Sequence, residues 1–278
     1  MVLDSIIAPL KAEQHPAQMF FFVFIAVSIC VFLSLWVFPA FASFGLITFT
    51  VMATLPFMVR LMQLEKERAQ RTNKPSLSQH RSAILLFVFL FFGLIAAYTF
   101  WFIALPNDAA SNLSGLQIKT LTEVNAPTGA VVSGDYFGQI LFNNLRVLFI
   151  AVLFSLVFAS GAIFILAWNA SVISLAIANS VKLSLAATGV GAGTYFSALA
   201  FGSARYLVHG IPEMIAYFLG GLAGGMLSFV ILDYKQGLGK MLDSFKKVGK
   251  DMLLLIGLAV VLLIAAAALE SGIGAIIS

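Results

Sequence analysis

The sequence predicts an all-α protein, a polytopic transmembrane helix bundle of seven spans. Three observations carry that expectation. Of 278 residues, 61% are hydrophobic and 10% are charged, against roughly 45–50% and 25% in soluble domains. Mean hydropathy is +1.02. Apolar runs of bilayer length alternate with polar segments, and two of those segments are crowded with Lys and Arg. The balance excludes a water-soluble globule, a disordered chain and a nucleic-acid binder. The net charge of +4 has a simpler origin, because cytoplasmic loops of membrane proteins collect basic residues.

A spanning helix needs about 20 mostly apolar residues. Ala17–Phe38 is the first candidate, stopped by Pro39, and Phe41–Val59 the second after a tight turn. Arg60–Arg81 is polar and basic. Ser82–Leu105 is the third helix, ended by Pro106. Asn107–Gly138 is rich in Asn, Ser, Thr and Gly and reads as an extramembrane loop or small subdomain. Gln139–Ala167 is the fourth helix, with Trp168-Asn169 marking its cytoplasmic end. Trp168–Val208 is apolar but interrupted at Gly189, Gly191 and Gly193. Pro212–Leu232 is a further helix, Asp233–Asp251 a Lys-rich loop, and Met252–Leu269 the last span. Met1–Lys11 has apolar residues at helical spacing, as in a short interfacial helix. The run Ala17–Phe38 is too long for a signal-peptide core of about 7–15 residues, and no basic segment precedes it.

Charge sets the expected orientation. Arg60–Arg81 carries six basic residues against Glu65 and Glu67, and Asp233–Asp251 carries five lysines against three Asp. Asn107–Gly138 carries Lys119 alone against Asp108, Glu123 and Asp135. The positive-inside rule puts the first two segments in the cytoplasm and the third outside. The N-terminus is then cytoplasmic and the C-terminus outside. Trp168–Val208 must make one net crossing, so Gly189–Val208 is expected as a re-entrant or interfacial helix hinged at its glycines.

Arg146, Lys182, Arg205, Glu213 and Glu270 interrupt apolar segments. Charges in the membrane are costly and usually paired or functional. At 1.5 Å per residue, all five fall near the outer side, beside Asn143, Asn144 and His209. They either reach the headgroups singly or join in one structural polar cluster; Glu213 is too short to reach far, which favours the cluster. In His209-Gly210-Ile211-Pro212-Glu213, Gly210 suits a helix end and Pro212 a helix start, so a break between two helices is expected there. Gly220, Gly221, Gly224 and Gly225 place small residues four apart, a pattern for close helix packing in lipid, either between two copies or within one chain.

Three histidines and the single Cys30 are a thin inventory for a metal site. Neither a nucleophile elbow nor a carboxylate pair close in sequence is present, so neither a metal, a cofactor nor enzymatic activity is expected.

Asn143-Asn144-Leu145-Arg146 opening an apolar helix, Trp168-Asn169, and His209-Gly210-Ile211-Pro212-Glu213 together resemble the stage II sporulation protein M family, over roughly Ser82–Leu269. Ala170 stands where members often have Gly. The resemblance implies a five-helix membrane core in residues 82–278, to which residues 1–81 add an interfacial helix, a transmembrane hairpin and a basic loop. The family's namesake is a membrane scaffold that holds peptidoglycan-degrading partners at the engulfing septum. The resemblance therefore implies a non-enzymatic scaffold or membrane-remodelling protein contacting lipids and either protein partners or further copies of itself. The alternative is a transporter or channel using broken helices around His209–Glu213.

Overall fold

The computed structural model describes residues 15–71, 76–125, 136–158, 161–189 and 191–277. The interfacial helix expected at Met1–Lys11 lies outside them. Eight helices follow in order: α1 (Ala17–Val37), α2 (Ala42–Arg71), α3 (Arg81–Ala104), α4 (Asn107–Asn125), α5 (Tyr136–Phe158), α6 (Ala162–Thr188), α7 (Ala192–Leu232) and α8 (Leu238–Ile277). Short 3-10 turns cover Pro39–Phe41, Leu77–His80 and Asp233–Gln236. All but α4 contain a segment long and apolar enough to cross a membrane, which makes seven spans among the described residues. Helices are the expected element here, because a lipid-exposed backbone has to satisfy its own hydrogen bonds.

Named contacts fix the direction of each helix. Trp101 Nε1 donates to Ser28 Oγ over 2.8 Å, and Gly93 lies against the Phe20 backbone, so α1 and α3 run parallel. Tyr98 Oη donates to Thr50 Oγ1 over 3.0 Å, while His80 meets Glu65 at the other end, so α2 runs opposite to α3. Lys66 reaches Asp233, and the Ser76 amide reaches Asp251. Both basic segments therefore meet at one end of the bundle, called the basic end below. α2, α5 and α7 run toward it; α1, α3, α6 and α8 run away.

Four expectations need correction. Within the segment expected as an extramembrane loop or small subdomain, Asn107–Asn125 is helical: α4 folds back along the bundle, with Lys182 donating to Asn107 over 3.4 Å and Gln117 to Ser171 over 3.1 Å. Its Leu113, Ser114 and Gln117 are buried, an amphipathic spacing hidden within a polar composition. Second, the fourth helix ends at Phe158, and Trp168-Asn169 lies inside α6, where Asn169 donates to the Ile165 carbonyl. The turn falls instead at Gly161, packed against the Phe154 backbone. Third, no break occurs at Gly210-Ile211-Pro212. α7 is one helix of 41 residues with Pro212 inside it, and no separate re-entrant or interfacial helix precedes it. Proline costs one backbone hydrogen bond, a loss that neighbouring helices in a membrane bundle tolerate. Fourth, both basic segments are largely helical: α2 continues to Arg71 and α8 starts at Leu238.

The glycine stripe is an internal contact. A Cβ on Gly221 would lie 2.2 Å from Ala162 Cβ, and one on Gly224 only 2.5 Å from the Val152 carbonyl oxygen. Gly220 faces Leu148, and Gly225 is buried. Absent side chains let α7 approach α5 and α6 closely, which is how helices gain dispersion contacts in lipid. Phe87 and Phe218 stack 3.8 Å apart between α3 and α7, extending the core across the bundle.

Candidate functional site

Two polar clusters sit in this apolar frame. The first joins α5 to α7. Asn144 Nδ2 donates to Glu213 Oε1 over 2.6 Å, and Tyr217 Oη donates to Asn144 Oδ1 over 3.0 Å. Asn144 and Tyr217 are buried. Glu270 on α8 is within electrostatic reach of both Glu213 and Tyr217. Gly210, one turn before Glu213, touches Ile173, about 17 Å along α6, a helix of about 40 Å. α6 itself starts inside the bundle, with Ala162 against Gly221, and Glu213 precedes Asp233 by 20 residues, about 30 Å from the basic end.

Lys182, Asn143 and Arg146 are not drawn into it. Lys182 is near the far end with Asn107. Asn143 and Arg146 are exposed on α5. Arg205 and His209 lie on α7 with side chains outside the described part of the structure. Among the residues whose side chains are described, the expected cluster brings together Asn144, Glu213 and the nearby Glu270, with Tyr217 added.

The second cluster is at the basic end, and sequence reasoning missed it. Glu65 and His80 are each 0% exposed, with Nδ1 of His80 2.5 Å from Glu65 Oε2. Arg68 pairs with the other Glu65 oxygen. His80 Nε2 is 4.0 Å from Asp251, which also accepts from Gln79 Nε2 over 2.7 Å and from the Ser76 amide over 3.2 Å. Beside them, Lys66 Nζ is 2.7 Å from Asp233 Oδ2. Ser244 donates to the same oxygen and accepts from Gln70 over 2.9 Å. Buried charge is tolerated only when paired and hydrogen-bonded; Glu65 is paired with Arg68 and Asp233 with Lys66, while Asp251 is hydrogen-bonded by Gln79 and the Ser76 amide. The missed signal was periodicity. Met58, Leu61, Met62, Glu65 and Ala69 recur on one helical face past Val59 and are all buried.

Among the described residues, no three His, Cys, Asp or Glu side chains converge to hold a metal ion. Both clusters join neighbouring segments through hydrogen bonds and ion pairs.

Seven apolar helices, with ionisable groups paired inside or gathered at one end, define an integral multi-pass membrane protein. Residues 82–274 match the family of stage II sporulation protein M, and the chain belongs to that family. α1 and α2 precede the matched region. No curated protein and no solved structure matches the chain.

Proposed function

We propose that this protein is a non-enzymatic membrane scaffold that recruits protein partners at the membrane, with the basic end and the N-terminus in the cytoplasm and the C-terminus outside. One observation carries the reading: the buried polar groups brace helix against helix. Asn144 spends both ends of its amide on α7, and the basic-end carboxylates are met by an ammonium, an amide and an imidazole from other segments of the chain. A braced bundle presents fixed outer faces. Over its spanning window α5 is only 22% buried and α8 only 33%, which leaves broad apolar surface for lipid and for membrane-embedded partners. In-membrane crosslinking from photoreactive residues on the exposed face of α5, at Phe142 and Phe149, tests this. Discrete protein adducts are expected, and adducts to lipid alone would overturn the scaffold.

A second reading, a small-solute or ion transporter, is favoured by the carboxylates of Glu213 and Glu270 standing near one another on apolar helices, since ionisable residues in spanning helices often mark transport paths. Reconstituted vesicles separate the two. Flux that disappears in Glu213→Gln supports transport, and vesicles that stay tight across cations, anions and small solutes support the scaffold.

A further inference from the structure

At the basic end α8 has two unlike sides. Ser244, Val248 and Asp251 are buried against the bundle. On the other side Phe245 and Leu253 are 50% and 73% exposed. Between them lies a groove of about 320 Å3, lined also by Lys246, Gly249, Lys250 and Ile256. Gly249 creates the hollow: a Cβ there would find only the Phe245 ring, at 3.8 Å.

The lysines of this groove are not held in a close ion pair, although Asp243 lies within electrostatic reach of Lys246. Lys247 is engaged by Asp243 at 3.0 Å, whereas among the described residues neither Lys246 nor Lys250 forms an ion pair. One helical turn separates these two, so both ammonium groups can reach one anion. The groove also straddles a change of surroundings. Asp251 is level with Ser76 and Gln79, just before the apolar run of α3 begins. Lys246 and Lys250 are thus on the water side of that level, and Leu253 and Ile256 on the hydrocarbon side.

We propose that this groove binds one anionic phospholipid, its phosphate between Lys246 and Lys250 over the hollow at Gly249 and its first acyl segment laid along Leu253 and Ile256. Phosphate followed by hydrocarbon is the order of groups the groove presents. A soluble acidic helix would match the lysines but not Leu253 and Ile256, which point into the apolar belt. Juxtamembrane lysines attract anionic lipid strongly enough for a pair to matter.

The test is native mass spectrometry of the full chain offered phosphatidylglycerol and phosphatidylcholine together. The wild type should retain phosphatidylglycerol selectively. Lys246→Gln with Lys250→Gln should lower that selectivity on the order of tenfold. Lys235→Gln with Lys240→Gln removes the same charge from the same end outside the groove and should change it less than twofold. Gly249→Leu should lower selectivity with no change of charge, by filling the hollow, and millimolar inorganic phosphate should not displace the lipid. Equal losses from the two lysine pairs would overturn the proposal, since the attraction would then be a diffuse surface effect. Full selectivity in Gly249→Leu, or displacement by inorganic phosphate, would overturn it as well. The comparison is between lipids within one sample, so a modest loss of stability in any variant does not blur it.

Discussion

Asn144 donates to the Glu213 carboxylate over 2.6 Å, tying α5 to α7 in a largely apolar bundle. Because the same amide accepts from Tyr217, its orientation is fixed, and removing any one of the three groups leaves a buried partner unmet. Glu213→Ala and Asn144→Ala should each lower stability in detergent by about 1–3 kcal/mol. Glu213→Gln keeps a carbonyl acceptor and should lose less. Thermal melting followed by tryptophan fluorescence checks this order, and an Ala variant as stable as the Gln variant contradicts the bracing role.

The basic-end joint should be costlier to break. Glu65→Ala leaves a buried imidazole and a guanidinium without their carboxylate, a change worth about 3–5 kcal/mol when one member of a buried pair is lost. The exposed pair of Asp243 and Lys247, 53% and 47% exposed, serves as the comparison. Removing either of its members should leave melting unchanged within error.

The glycine stripe gives a graded series. Gly224→Ala drives a methyl toward a backbone carbonyl at 2.5 Å, whereas Gly220→Ala meets a Leu148 methyl that can turn away. Gly224→Ala should therefore destabilise by about 1–3 kcal/mol, and Gly220→Ala by clearly less. Reversal of that order would show that α7 does not sit on α5 in this register.

Sidedness is directly measurable, because Cys30, the single cysteine, is buried. Gly193→Cys at the far end has open space around it, and Lys247→Cys is exposed at the basic end. With the orientation proposed above, an impermeant maleimide labels the first in intact cells and the second only in inverted vesicles. Labelling of both from one side is incompatible with an odd number of spans between the ends they mark.

Hydropathy made the seven spans legible, because each is a long run whose apolar character needs no context to interpret. Charge asymmetry also foretold that Arg60–Arg81 and Asp233–Asp251 meet at one end, as the pairing of Lys66 with Asp233 shows. Helix boundaries were less legible. Pro212 and Gly210 carry the punctuation of water-soluble helices, but lipid removes the water that would satisfy a broken backbone. Gly161, where the turn falls, is a weaker signal in an apolar run than Trp168-Asn169. The buried joint was hidden for a different reason. Glu65, His80 and Asp251 look like solvated loop charges until two distant segments are known to touch, and that knowledge is tertiary.

The joint also limits how this chain can be dissected. Lys66, Gln70, Ser76, Gln79 and His80 precede the family-matched core, while Asp233, Ser244 and Asp251 lie within it. An excised core starting at residue 82 would keep two aspartates in a recess shaped for counter-ions now missing. Shortened versions made for crystallography or reconstitution would therefore want Asp233 and Asp251 neutralised to Asn, or the hairpin supplied as a separate polypeptide to refill the recess.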